Sequence, residues 1–244
     1  MLHLSPHPDD ELIGAPATLM ALRDAGWRVV NLPCGLGRPE QHRRREAELR
    51  EAADLAGFEL RFPAEPVGIS LDDDRVAAEE SLLEVARVAI AELTPKIVIS
   101  PSPHDRHHGH EVVARAVREA LAEAADSAPR WWTWALWGAL LQPNVGIAFD
   151  QARLEEILAA LGAYRGELER TDYRRAVRAR AEMMASLGSE LLFGFGAPGA
   201  REVAYAELLT DVAFVNRRWV LGPPRWLDPE SPLPEPSRSE AILA

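Results

Sequence analysis

An α/β fold, a Rossmann-like three-layer α/β/α sandwich around a mostly parallel sheet, is what the sequence predicts, on three observations. Short apolar runs alternate with longer amphipathic segments through the first half of the chain. The length of 244 residues suits one large α/β domain. A composition of 47% hydrophobic and 27% charged residues is that of a chain that buries a core.

The elements follow in order. Met1 to Leu4 reads as a short buried strand, and Glu11 to Ala25 as a helix, with Leu12, Ala15, Leu19 and Leu22 near helical spacing. Trp27 to Pro33 reads as a strand running into the glycine turn Cys34-Gly35-Leu36-Gly37. His42 to Ala56 is a highly charged helix closed by Gly57, and Phe58 to Phe62 a third strand. Val76 to Leu93 is a helix stopped by Pro95, followed by the β-branched strand Lys96 to Ser100 and a helix from Gly109 to Ala125. In the less regular second half, Trp131 to Leu141 reads as a strand, and Leu154 to Tyr164 and Asp172 to Leu187 as helices. No internal repeat is visible, so residues 1–221 are expected to form a single domain. The 23 residues from Gly222 hold 6 of the 19 prolines and are expected to form a tail over 222–244, which either packs on a neighbouring subunit, as in a homo-oligomer, or hangs free.

Charge and composition exclude several roles. A formal net charge of -11 with no basic block argues against a nucleic-acid partner. No run of about eighteen apolar residues is present, so no membrane span is expected. Cys34 is the only cysteine, which rules out an internal disulfide. With no cationic, apolar leader at the N-terminus, a cytoplasmic location is expected. Nothing positive adjoins Cys34, and the GLG beside it lacks the third glycine of a dinucleotide fingerprint.

The histidines choose their places. Five of seven lie in SPHPDDELIG at 5–14 or SPSPHDRHHGHE at 100–111. Each segment follows a predicted parallel strand, so both belong at the carboxyl edge of the sheet, where open α/β sheets bind ligands. Imidazole with carboxylate suits zinc, and equally iron(II), and a catalytic zinc takes three protein ligands and leaves a position for water. His7 and one of two adjacent aspartates come from the first loop, so the second need supply only one imidazole. Side chains of Asp9 and Asp10 point apart, so one can hold the metal while the other faces the water or caps the helix. Glu11 then opens the helix at its dipole-favoured end.

His7-Pro8-Asp9-Asp10-Glu11 resembles the HPDDE signature of the LmbE-like, or PIG-L, family of zinc-dependent N-acetyl-sugar deacetylases. That family carries a second signature, His-Pro-Asp-His, where this chain reads His107-His108-Gly109-His110. The resemblance extends to the turn at Gly35 to Gly37, the helix with Arg45 and Glu48, and Tyr205-Ala206-Glu207. It implies Zn²⁺ held by His7, Asp10 and His110, Asp9 as general base, and His107 in the place of a family histidine that steadies the tetrahedral intermediate, which it would do most strongly if cationic. It implies as partner a small-molecule N-acyl amino sugar or conjugate. Where the family has proline and aspartate, this chain has His108 and Gly109, leaving Asp105 as the substitute that would orient His107. Arg45, Asp72 and Tyr164 are the candidate substrate contacts. For Arg45 the competing reading is a solvated helix face, for Asp72 a plain acidic turn. The tryptophans at 131, 132, 134 and 137 fit core packing better than a sugar-stacking wall. The expected activity is therefore hydrolysis of an N-acyl, normally acetyl, group from an amino sugar or glycoside. Its rivals are an amidase acting on a larger conjugate or non-sugar N-acyl metabolite, and a metal-binding module without catalysis.

Overall fold

The computed structural model describes residues 1–197 and 203–233. In chain order the elements are β1 (Leu2–Ser5), α1 (Asp10–Ile13), α2 (Pro16–Asp24), β2 (Val30–Pro33), α3 (His42–Ala56), β3 (Glu59–Leu60), α4 (Arg75–Leu93), β4 (Ile97–Pro101) and α5 (His108–Ala124). The second half adds β5 (Arg130–Trp134), β6 (Val145–Phe149), α6 (Gln151–Leu161), α7 (Arg165–Arg170), α8 (Tyr173–Phe193), β7 (Tyr205–Val215), β8 (Arg218–Leu221) and β9 (Arg225–Trp226).

Among the described residues nine strands form one mixed sheet in the order β3-β2-β1-β4-β5-β7-β6-β9, with β8 paired to β7. The pairs from β3 through β5 are all parallel. The antiparallel strand β7 then joins β5 to β6. Alternation of side chains along the strands builds two cores, one on each face. Leu2, Leu4 and Val98 face α4 and α5, while Ile97, Ile99, Trp132 and Trp134 face the layer containing α1, α2, α3, α6 and α8. This is the three-layer α/β/α arrangement that the sequence predicts. No helix among the described residues is long and apolar enough to cross a membrane.

Several elements depart from expectation for local reasons. The helix expected over Glu11 to Ala25 is broken at Gly14–Ala15, because Pro16 opens α2 and cannot continue the ladder of α1. Gly14 also lies against the Trp134 indole, where a Cβ would come within 2.4 Å of Cε2. The buried Glu207 carboxylate accepts the freed N–H groups of Ala17 (3.1 Å) and Thr18 (3.0 Å), doing for α2 what an N-cap side chain does elsewhere. The strand expected over Trp131 to Leu141 stops at Trp134. The stretch expected as a tail starts within the sheet, since β9 pairs with β6 at Val145 and Gly146; residues 234–244 lie outside the described ones.

The chain runs β1, β2, β3 towards one edge, then crosses back to place β4 on the other side of β1. The crevice at this reversal lies beyond the carboxyl ends of β1 and β4. The loops that follow those two strands carry the two histidine clusters.

Candidate metal and catalytic site

The first loop is shaped by its backbone. Asp9 sits at φ 104°, in the left-handed region, which a non-glycine residue occupies only when its surroundings hold it there. Its carbonyl accepts from Leu12 (2.9 Å) and Ile13 (3.0 Å), so the strained residue starts α1 directly behind it. Asp10 then points back, and its Oδ2 accepts the His7 backbone N–H at 2.9 Å. From the second loop, α5 begins at His108 and presents His110, almost wholly buried, to the same carboxylate.

Asp10 lies between the two imidazoles. Its Oδ2 is 3.4 Å from His7 Nδ1 and its Oδ1 is 3.2 Å from His110 Nε2. Ligand atoms around a tetrahedral ion with bonds of 2.0–2.1 Å stand about 3.4 Å apart, so this donor set fits a small divalent cation. The histidines alone form a second conceivable set, as His7, His107 and His110 can each bring a nitrogen within 4.8 Å of the others. The tighter spacing around Asp10 favours His7, Asp10 and His110 as ligands and leaves His107 to the cavity. Zinc and iron(II) both accept two imidazoles and a carboxylate.

The electrostatics suit a cation. Burial disfavours ionised Asp10, but His110 and His7 outweigh it and hold the carboxyl well below its usual range. Burial likewise opposes a charged His110, yet Asp10 and Asp105 raise it to about 9. A group of carboxylates that attracts a proton so strongly favours a dication in its place, with the proton released. Asp9 behaves in the opposite way. Burial and then the neighbouring Asp10 raise its pKa well above the ordinary carboxylate value, against the pull of Arg45.

Asp105 does not orient His107, as the sequence suggested; it is the partner of His110. Its Oδ2 is 2.5 Å from His110 Nδ1. Its Oδ1 accepts from the backbone N–H groups of Leu136 (2.6 Å), Trp137 (2.7 Å) and Gly138 (3.0 Å). These bonds turn the chain away from β5 and end that strand. They also fix Nδ1–H on His110 and turn Nε2 towards Asp10, the orientation a metal ligand needs.

Among the described residues His107 has no carboxylate partner. Its ring stacks on Trp137 with centroids 6.1 Å apart, and its buried Nδ1 has no hydrogen-bond partner among those residues. Burial and then the charges of His110 and His7 lower its pKa to about 4, which favours the neutral imidazole over the cation. Gly109 follows from the same packing. A Cβ there would meet His7 Cε1 at 3.1 Å and Pro6 Cβ at 3.2 Å, because α5 begins hard against the first loop.

His7, Asp9, Asp10, His107, His110 and Trp137 line a cavity of about 540 Å³. Arg45 belongs to it, not to a solvated helix face: its guanidinium reaches the Pro8 carbonyl (3.4 Å) and Glu167 (3.5 Å). Two other candidate substrate contacts are not brought there. Tyr164 is fully buried, its hydroxyl donating to Glu11 beneath the loop, so it supports α1 and is not part of this cavity's lining. Asp72 is exposed on the turn before α4 and lies outside the cavity lining. Its neighbours Asp73 and Asp74 are spent on Ser70 and on capping α4. In their place the cavity takes Arg106, Trp137, Glu167, Arg170 and Tyr173. The sequence pointed at Glu167 through the run Tyr164-Arg165-Gly166-Glu167 and at Arg106 through the second histidine segment, while Trp137, read there as core packing, is half-exposed at the cavity.

Comparisons with known proteins agree with this architecture. Among curated proteins none matches the chain. Among solved structures, a conserved protein of Thermus thermophilus is 23% identical with a TM-score of 0.63, covering 85% of this chain and 92% of its own. The 4-carboxy-2-hydroxymuconate hydratase of Pseudomonas putida is 17% identical with a TM-score of 0.64, over 87% and 95% of the two chains. The N,N'-diacetylchitobiose deacetylase of Pyrococcus horikoshii is 18% identical with a TM-score of 0.61, over 86% and 82%. At such identities the likeness is one of fold, and that fold serves a hydratase as well as a deacetylase. The sequence is more specific: residues 2–121, which contain both histidine loops, match the family described as PIG-L, GlcNAc-PI de-N-acetylase. Residues 2–121 of this chain are a PIG-L, or LmbE-like, family domain.

Proposed function

We propose that the protein is a metal-dependent N-deacetylase that hydrolyses the N-acetyl group of an amino sugar or its glycoside, with zinc as the metal. The observation that carries this reading is the pair of adjacent aspartates: Asp10 is committed to His7 and His110, while Asp9 faces the cavity with a raised pKa. A site that only stored metal would have no use for the second carboxylate.

His7, Asp10 and His110 would hold the ion, which when bound supplies Lewis acidity to a water and an amide carbonyl. Asp9 takes the proton of the attacking water, a task suited to a carboxylate whose affinity for protons has been raised. The same carboxyl returns that proton to the departing amine, so acetate and a free amino sugar leave. His107, held neutral, donates a hydrogen bond to the developing oxyanion and transfers no proton. Trp137, stacked on His107, keeps that ring in place and shields it from solvent. Glu11 and Tyr164, hydrogen-bonded beneath the loop, hold α1 and with it the two aspartates.

The test pairs metal content with acetate release from N-acetylglucosamine and its glycosides. Wild type should bind about one equivalent of zinc and release acetate, and His110→Ala should lose both. Asp9→Asn should keep its metal and lose roughly 10²- to 10⁴-fold in kcat, the usual share of general acid–base catalysis. An Asp9→Asn protein as active as wild type removes the mechanism. Metal binding without acetate release from any N-acyl compound leaves a metal-binding module.

A further inference from the structure

Helix α8 buries one apolar face and leaves another bare. Tyr173, Val177, Ala181, Gly188 and Leu192 pack into the fold. Met183, Leu187 and Leu191 recur every fourth residue on a different side, each 43–50% exposed. Ala179 and Ser186 extend that exposed stripe. A surface helix ordinarily turns charged or polar residues to water there. Phe193, half exposed, and Phe195, 97% exposed, stand at its end. Between α8 and the loop after β5 runs a groove of about 560 Å³, with Leu136, Leu140, Pro143, Met183, Met184 and Leu191 in its walls. Leu141, half exposed, lies on the same loop.

Leu141, Met183, Leu187, Leu191, Phe193 and Phe195 together bare on the order of 600 Å² of apolar surface. That is the upper end of what a monomer leaves uncovered. With the groove walls added it approaches the roughly 800 Å² that each partner gives to a standard-size interface. The charges beside the stripe select the partner. Arg175 lies towards its start and Glu190 towards its end, both exposed, and among the described residues neither side chain has an ion pair or hydrogen bond. Along the helix they stand about 22 Å apart. A two-fold axis passing beside Glu182 and Met183 sets Arg175 of one copy against Glu190 of the other, and the reverse. The same axis sets Ala179 opposite Ser186, two small side chains that let the helices close together. A lipid surface would call for a basic rim, which Glu182 and Glu190 deny it.

We propose that this face of α8 is a dimer interface that takes a second copy of the chain, the two helices antiparallel about a two-fold axis. Closure removes Met183, Leu187 and Leu191 of both copies from water and gives each Arg175 and each Glu190 its counter-ion. None of His7, Asp10 and His110 lines the groove, so association can be measured without turnover.

Sedimentation velocity on the full chain, from about 1 to 100 μM, reads the association directly. Wild type should sediment as a dimer at the upper concentrations. Leu187→Glu, a change at an exposed position, should be monomeric throughout with an unshifted thermal melt. Arg175→Glu and Glu190→Arg should each weaken the dimer Kd about ten-fold or more, because each sets like charges opposite one another twice. The double reversal, Arg175→Glu with Glu190→Arg, restores both pairs and should return Kd to near the wild-type value. A wild type that stays monomeric, or a dimer intact in Leu187→Glu, overturns the proposal. So does a double reversal that binds no more tightly than the single ones, since the helices would then pair in some other way. A monomeric wild type that dimerises once residues 234–244 are removed overturns it too, and assigns the groove to the chain's own C-terminal segment.

Discussion

Asp105 takes four donors at once, three backbone N–H groups on one oxygen and His110 Nδ1 on the other. An amide cannot repeat this. In Asp105→Asn the oxygen stays with Leu136, Trp137 and Gly138, and the NH2 group faces His110 Nδ1. The imidazole must then accept at Nδ1 and carry its proton on Nε2, where the metal should bind. Zinc affinity, measured by chelator competition, should fall about 10- to 100-fold; an unchanged affinity contradicts the assigned tautomer. His3 shows what a histidine does when it has no such task. It is fully buried on β1, its Nδ1 bonded to Asn31 at 2.8 Å and its Nε2 accepting from Trp134 at 3.3 Å. Burial lowers its pKa from 6.5 to about 4. As pH falls below 6.5 the unfolded chain binds a proton that the folded chain refuses, so stability drops until about pH 4. The loss from this residue is on the order of 3 kcal/mol. Denaturant midpoints for wild type and His3→Gln between these two values should show a shallower pH slope in the variant, and equal slopes refute the assignment.

At the scale of elements, the start of α5 shows what the sequence could and could not convey. The two histidine loops were legible because parallel strands place their following loops on one edge, and alternating β and α patterns reveal parallel strands. The partner of each ring was not legible. Asp105 is five residues from His110 and two from His107, and only the turn at Arg106 decides which imidazole it meets. Tyr164 fared similarly, since a tyrosine at the end of a helical pattern does not reveal whether its hydroxyl meets substrate or a buried Glu11. The departure at Gly109 has a steric reason that no pattern contains. In Gly109→Ala the helix gains up to about 1 kcal/mol of intrinsic propensity. The new methyl, however, would press on the His7 ring and Pro6 at 3.1–3.2 Å. Because Pro6 is locked in the loop, the His7 ring yields, and the expected outcome is weaker zinc binding at nearly unchanged thermal stability. Zinc affinity equal to wild type would show that the loop absorbs the methyl instead.

Over the whole molecule, the family match covers only the half in which the alternating pattern was clear, residues 2–121, while β6 to β9 were poorly legible. There the sheet turns antiparallel, strands pair with partners distant in sequence, and β7 is reached only after three helices. The parallel part of the sheet, β3 to β5, meets the antiparallel part along β5 and β7, and a buried ion triad ties that seam. Asp211 on β7 is wholly buried and pairs with Arg130 of β5 at 2.8 Å and Arg225 of β9 at 2.9 Å. Asn144 secures the same strand by accepting from Asp211 N at 2.6 Å and donating to Asp211 O at 2.8 Å. Gly222 leaves room for the carboxylate, since a Cβ there would come within 2.5 Å of Asp211 Oδ2. Asp211→Asn keeps the shape and removes the charge, leaving two adjacent guanidiniums without a counter-ion. Breaking a buried pair costs about 3–5 kcal/mol, and with Arg130 and Arg225 still partly wetted the lower figure applies. In a chain of this size each kcal/mol moves Tm by about 2–4 °C, so the melt should come roughly 6–12 °C earlier. Asp211 does not line the metal cavity, so zinc stoichiometry below the transition should be that of wild type. A variant with wild-type Tm would mean that the second half is held by its apolar faces alone, and one that lost zinc while folded would mean that the seam positions the site itself.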